Sequence, residues 1–196
     1  MISDHILWEK IKNSDIVDFE GKIRFLMTEY GTREPCNRFD VGNTIEFIVC
    51  DHLKNLGFHI KELPNEKRID LIIDQIYRLS IKYSSTGDIT LHNSNSCINS
   101  DLNFTDTLLL TPHYLYLLTE QNLKEIGIDI KNYLKNTGDS LKLKRALLAH
   151  LDKNNFLYRM NININVEKKH CKNKLCSKLF YEIFLIEYWK SHNYTI

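Results

Sequence analysis

The chain has 196 residues, 43% of them hydrophobic and 26% charged, with a formal net charge of +1; that balance suits a folded chain with its own core and excludes global disorder. Its longest apolar runs, such as Leu108–Leu110 and Leu115–Leu118, fall far short of the ~20 residues of a bilayer-spanning helix, so no membrane role is expected. Five cysteines, an odd number at uneven spacing, do not make a disulfide framework, and a reducing cytoplasm is the simpler expectation. Residues 1–20 carry Asp4, Glu9, Asp15 and Asp18 without an apolar stretch, which is unlike a secretory signal. The charge is unevenly spread: residues 1–120 hold 12 Lys/Arg against 18 Asp/Glu, and residues 121–178 hold 13 against 5. One domain is expected over 1–196, with a core of about 14–120 and a basic, helical C-terminal part of about 121–196.

In chain order, Ser14 and Asp15 offer a cap to a helix running to Tyr30, with Ile16, Phe19, Ile23, Leu26 and Met27 at helical spacing. Gly31–Gly42, with Pro35, reads as a loop. Asn43 then opens a second helix whose apolar face is Ile45, Ile48, Val49, Leu53 and Leu56, stopped by Gly57. Phe58–Glu62 reads as a short strand. Ile69, Leu71 and Ile73 alternate with Asp70, Ile72 and Asp74 as a partly buried strand does, with Asp74 and Asp88 as turn residues. Tyr77–Tyr83 alternates again: Tyr77, Leu79, Ile81 and Tyr83 on one face, Arg78, Ser80 and Lys82 on the other.

Asp88–His92 is read as a further strand and His92–Asn103 as a polar loop. Leu108–Thr111 and Tyr114–Leu118 give more strand, and Glu120–Ile126 a helix stopped by Gly127. Ser140–Leu151 is read as a helix, Asn161–Val166 as a strand with one wet face, and Leu175–Trp189 as a closing aromatic helix. Without regular βαβ alternation, the fold class expected is α/β in the α+β sense, a central mixed β-sheet flanked by helices.

The chemistry concentrates where Arg68-Ile69-Asp70 is followed, nine residues on, by Ser80-Ile81-Lys82. If the two strands form a hairpin, Asp70, Ser80 and Lys82 converge. A carboxylate suits a hard cation such as Mg²⁺, and a lysine beside it can orient a water and stabilise charge on a phosphate. On these residues the chain resembles the PD-(D/E)xK nuclease superfamily, most closely its type II restriction endonuclease members. Asp70 matches the first acid, Lys82 the lysine, and Ile81 the middle position, whose backbone carbonyl helps hold the metal in such enzymes. Ile69 stands where the family carries proline. Ser80 stands where the second acid belongs, which leaves the metal site one carboxylate short.

Glu46, on the helix preceding the hairpin, is the replacement the family pattern offers. Asn43 followed by Glu46 also reads as a capping box, so Glu46 has a structural alternative as a helix cap.

The resemblance implies a restriction-endonuclease-like core and a Mg²⁺-dependent, sequence-specific endonuclease that hydrolyses phosphodiester bonds of double-stranded DNA. Asp70, Glu46 and the Ile81 carbonyl would hold the metal. Lys82 would position or polarise the attacking water, with Ser80 supporting it by a hydrogen bond. A homodimer is implied, because palindromic sites need a two-fold reader, as is a cognate methyltransferase acting on the same site. Phe180, Phe184, Tyr188 and Trp189 on the last helix offer an interface or, equally, core packing. Asn93, Asn95 and Asn99 in the polar loop could read base edges. Lys142, Lys144 and Arg145, with Lys168, Lys169, Lys172, Lys174 and Lys178, could grip phosphates or, equally, be solvated helix faces. Cys171 and Cys176, with His170 and His192 near, lack a matching pair and are a weak zinc signature. The alternatives are a DNA-binding module of the same fold without catalysis, and a nuclease of repair or recombination.

Overall fold

The computed structural model describes residues 3–30, 35–63, 69–85, 89–93, 104–137, 140–164 and 177–192. Three helices lead the chain: α1 (Asp4–Lys12), α2 (Val17–Glu29) and α3 (Pro35–Asn55). The first was not anticipated; Ser3 caps it, its hydroxyl accepting from the Ile6 amide, and Leu7, Trp8 and Ile11 are buried. The second matches the expected helix with ragged ends.

The third corrects the reading of Gly31–Gly42 as a loop, because α3 starts at Pro35. Proline is well suited to a first helical turn, where its missing N–H costs nothing. Val41, one turn before Ile45, extends the apolar stripe of Ile45, Ile48, Val49 and Leu53, all buried. Gly42 lies inside the helix rather than at its boundary.

Among the described residues nine strands follow: β1 (Ile60–Glu62), β2 (Leu71–Ile73), β3 (Tyr77–Tyr83), β4 (Ile89–Asn93), β5 (Thr107–Leu110), β6 (Tyr114–Leu118), β7 (Leu134–Thr137), β8 (Ser140–Leu143) and β9 (Arg159–Asn161). They make a mixed six-stranded sheet in the order β1-β2-β3-β5-β6-β9 and a three-stranded antiparallel sheet in the order β4-β8-β7. In the larger sheet only the β3–β5 pair is parallel. The remaining helices are α4 (Glu120–Glu125), α5 (Ala146–Lys153) and α6 (Ser177–Ser191). The fold is thus α+β, a mixed sheet flanked by helices, as expected. The C-terminal part is less helical than expected. Ser140–Leu143 is a strand with a partner at Leu134–Thr137, and the helix begins only at Ala146.

The larger sheet separates two cores. On one face Leu71, Leu79, Ile81, Leu108, Leu110, Leu115 and Leu117 pack against α1, α2, α3 and α6. On the other, Leu109, Tyr116 and Leu118 pack with Ile89, Leu143, Leu147 and Leu151. Strands β5 and β6 are therefore buried on both faces, which is why they read as continuous leucine-rich runs. Phe184 and Tyr188 of α6 belong to the core, and Trp189 is partly exposed. No helix among the described residues is long and apolar enough to cross a membrane.

Candidate functional site

The site forms where β3 changes partner. From Tyr77 to Leu79 it pairs antiparallel with β2, and from Ser80 to Tyr83 it pairs parallel with β5. The hairpin is set by Asp74 and Gln75, both at positive φ, and the Asp74 carboxylate accepts from the His59 amide at 2.9 Å. Asp74 is therefore the turn residue the sequence suggested. At the other end β2 stops at Leu71. The Asp70 amide still donates to the Leu79 carbonyl, and the Ser80 amide already donates to the Asp106 carbonyl on the β5 side. Since backbone groups alternate sides along a strand, the N–H and C=O of Ile81 point to the edge that β2 has just left.

The Asp70 carboxylate fills that notch. Its Oδ2 accepts three hydrogen bonds: from the Ser80 hydroxyl at 2.8 Å, the Ile81 amide at 2.5 Å and the Lys82 ammonium at 3.0 Å. Those three leave Oδ1 outside the cluster. The Asp70 and Lys82 side chains retain 16% and 19% of their surface, enough for a ligand to reach them, while Ser80 is buried. The expected pairing of Asp70 with Lys82 and Ser80 is present. The Ile81 amide is the member that sequence reasoning missed; no residue letter signals a backbone donor, only the strand's change of partner does.

Ser80 and Lys82 lie on the face of β3 opposite Ile81, as the alternation predicted, and α3 packs on the Ile81 face. Glu46 comes from α3, so the notch is flanked from both sides. Its carboxyl is pushed up from 4.5 to about 7, first by burial and then by the charge of Asp70, with Lys82 opposing. The helix-cap alternative for Glu46 is removed: α3 begins at Pro35, so Asn43 and Glu46 are mid-helix. One turn on, Cys50 is buried and its thiol is pushed up to about 12, chiefly by burial. It is a packed neutral group rather than a soft metal ligand. Lys54 is paired with Glu62 at 2.8 Å. Among the described residues no group of three or more His, Cys, Asp or Glu is arranged to hold a metal. The Asp70 carboxylate lies at the notch, and the Glu46 carboxyl is near enough for the charges of Asp70 and Lys82 to act on it.

The other expected site residues lie on other elements. Lys142 is on β8, Lys144 and Arg145 follow it directly, and none is on a helix. Asn93 ends β4, paired with Ser140, and its side chain is outside the described residues. Asn95, Asn99, Asp88, Lys168, Lys169, Lys172, Lys174, His170, Cys171 and Cys176 also lie outside them. No protein-family model matches the chain, and no curated protein or solved structure does so either.

Proposed function

We propose that the protein is a Mg²⁺-dependent endonuclease of the restriction type, hydrolysing phosphodiester bonds of double-stranded DNA. The observation that carries this reading is the gathering of the Ser80 hydroxyl, the Ile81 amide and the Lys82 ammonium on one oxygen of the half-buried Asp70 carboxylate, with Glu46 of α3 near enough to feel the charges of Asp70 and Lys82. The donor set fits the ion: Asp70 Oδ1, the Glu46 carboxylate and the Ile81 carbonyl are hard oxygens, and Mg²⁺ takes few protein ligands and keeps several waters. When bound, it supplies positive charge against the phosphate under attack.

The chain's own groups do the positioning. Ser80 and the Ile81 amide fix Oδ2 of Asp70, which presents Oδ1 in one orientation. Ser80 thereby stands in for the second acid as a neutral prop, not as a ligand. Lys82 spends one N–H on Asp70 and keeps two to orient a water and a phosphate oxygen. Glu46, with its carboxyl near 7 in the absence of a cation, becomes the second carboxylate when positive charge shares the notch. A two-fold homodimer would supply one such notch per DNA strand.

Supercoiled plasmid and phage DNA, incubated with the protein and Mg²⁺, test the reading. Wild type is expected to give discrete fragments, and Asp70→Asn and Lys82→Ala to leave the DNA intact. Fragments that persist with Lys82→Ala would take the lysine out of the mechanism. Structure-dependent nicks in place of fragments would point to repair or recombination. Wild type that binds duplex but neither cleaves it nor takes up Mg²⁺ would leave a binding module without catalysis, which the loss of an acid at Ser80 also favours.

A further inference from the structure

The small sheet β4-β8-β7 has one face in a core; on the other, Thr90 and Lys135 are exposed and Lys142 is half-buried. Ile89, Leu143 and Leu134 occupy adjacent positions on the inner face. One residue along, Thr90, Lys142 and Lys135 stand side by side on the outer face, because Thr90 pairs with Lys142 and Lys142 with Lys135. Two lysines directly opposed across an antiparallel pair repel one another, and among the described residues neither has an acidic partner within ion-pair distance. Lys131, Lys144 and Arg145 are exposed and flank the row. Residues 130–151 carry these five basic side chains and one acid, Asp139, which lies outside the described residues.

We propose that this outer face is a phosphate-binding ribbon that takes the sugar-phosphate backbone of a nucleic-acid duplex. Three strands at about 4.8 Å spacing set a hydroxyl and two ammonium groups along roughly 10 Å, a line across the sheet instead of a cradle. A line of like charge fits an extended anion with repeating phosphates better than one small phosphate, which calls for converging donors in a concavity. No large apolar side chain is exposed on this face among the described residues, so the wedge by which surface-binding elements enter a lipid layer is missing. The ribbon also sits close to the chemistry. Strand β4 begins seven residues after Lys82 and packs beside β3. The proposal rests on the nuclease reading only in taking the same duplex as partner.

Binding of a labelled, non-specific short duplex to the full chain, in EDTA across a series of salt concentrations, tests it. Replacing both lysines (Lys135→Ala with Lys142→Ala) should lower the slope of log affinity against log salt by about 2 and weaken binding roughly tenfold at physiological salt. The melting temperature should be held or raised, since a repulsion is removed. An unchanged slope and affinity in the double variant overturns the ribbon even if wild type cleaves DNA. A lysine-dependent slope without any cleavage leaves the ribbon standing and overturns the nuclease. Wild type that binds vesicles of anionic lipid and ignores the duplex overturns the ribbon as stated.

Discussion

A carboxyl group at the rim of an apolar layer is cheaper to bury with its proton than without it, and Glu46 follows that rule. Because its folded value, about 7, lies above the ordinary 4.5, the native chain holds this proton more tightly than the unfolded chain. The associated stability is present below 4.5 and is lost as the pH rises through 7. In the presence of EDTA, denaturant midpoints should therefore fall across that window, by on the order of 2–3 kcal/mol in unfolding free energy. Glu46→Gln should flatten the curve, and added Mg²⁺ should restore wild type at the alkaline end. Asp70 makes a different prediction. Asp70→Ala leaves the Ser80 hydroxyl and the Ile81 amide without an acceptor, at a cost of about 1–3 kcal/mol. Asp70→Asn keeps one acceptor oxygen and should lose less, although both should abolish cleavage. Urea unfolding of the two variants, measured beside plasmid assays, separates the structural from the chemical loss.

Helix α3 shows what a sequence conceals at the level of elements. Pro35, Asn37, Asp40 and Gly42 are all residues that punctuate loops, so the run before Asn43 looks irregular. The clue to the contrary is Val41, which stands four before Ile45 and is buried with it. The site strands were legible because their alternation is strict: β3 places Leu79 and Ile81 in the core with Ser80 and Lys82 opposite, as the letters suggest. The β7–β8 hairpin was not, because Leu141, Leu143, Leu147 and Leu148 satisfy a helical period as well as an alternating one. The two-residue spacer Gly138-Asp139 between Thr137 and Ser140 was the available hairpin signal.

Two glycines provide a matched test of helix interiors. A Cβ at Gly42 meets nothing within 4 Å, whereas one at Gly21 would sit 2.6 Å from the hydroxyl oxygen of buried Tyr188. Gly42→Ala should gain about 0.5–1 kcal/mol from helix propensity. Gly21→Ala should forfeit that gain to the clash and melt below wild type in thermal unfolding.

Across the whole molecule, one sheet serves two cores, with Leu110 on one face of β5 and Leu109 on the other. Leu109→Ala and Leu110→Ala should each cost about 2–5 kcal/mol. Calorimetry should show a single shifted transition for both, not the loss of one half, because the strands that would have to separate are common to both layers. The same sharing reaches down to Asp70, whose oxygen completes the hydrogen bonding of a sheet that is one strand short at that edge. Such an acid is retained by folding whether or not the chemistry survives. A chain of this fold without the proposed activity would still gain from it, and an aspartate at this place is therefore a poor witness to activity. Lys82 and Glu46 fill no backbone vacancy, so in any relative their presence or absence bears more directly on the activity proposed above.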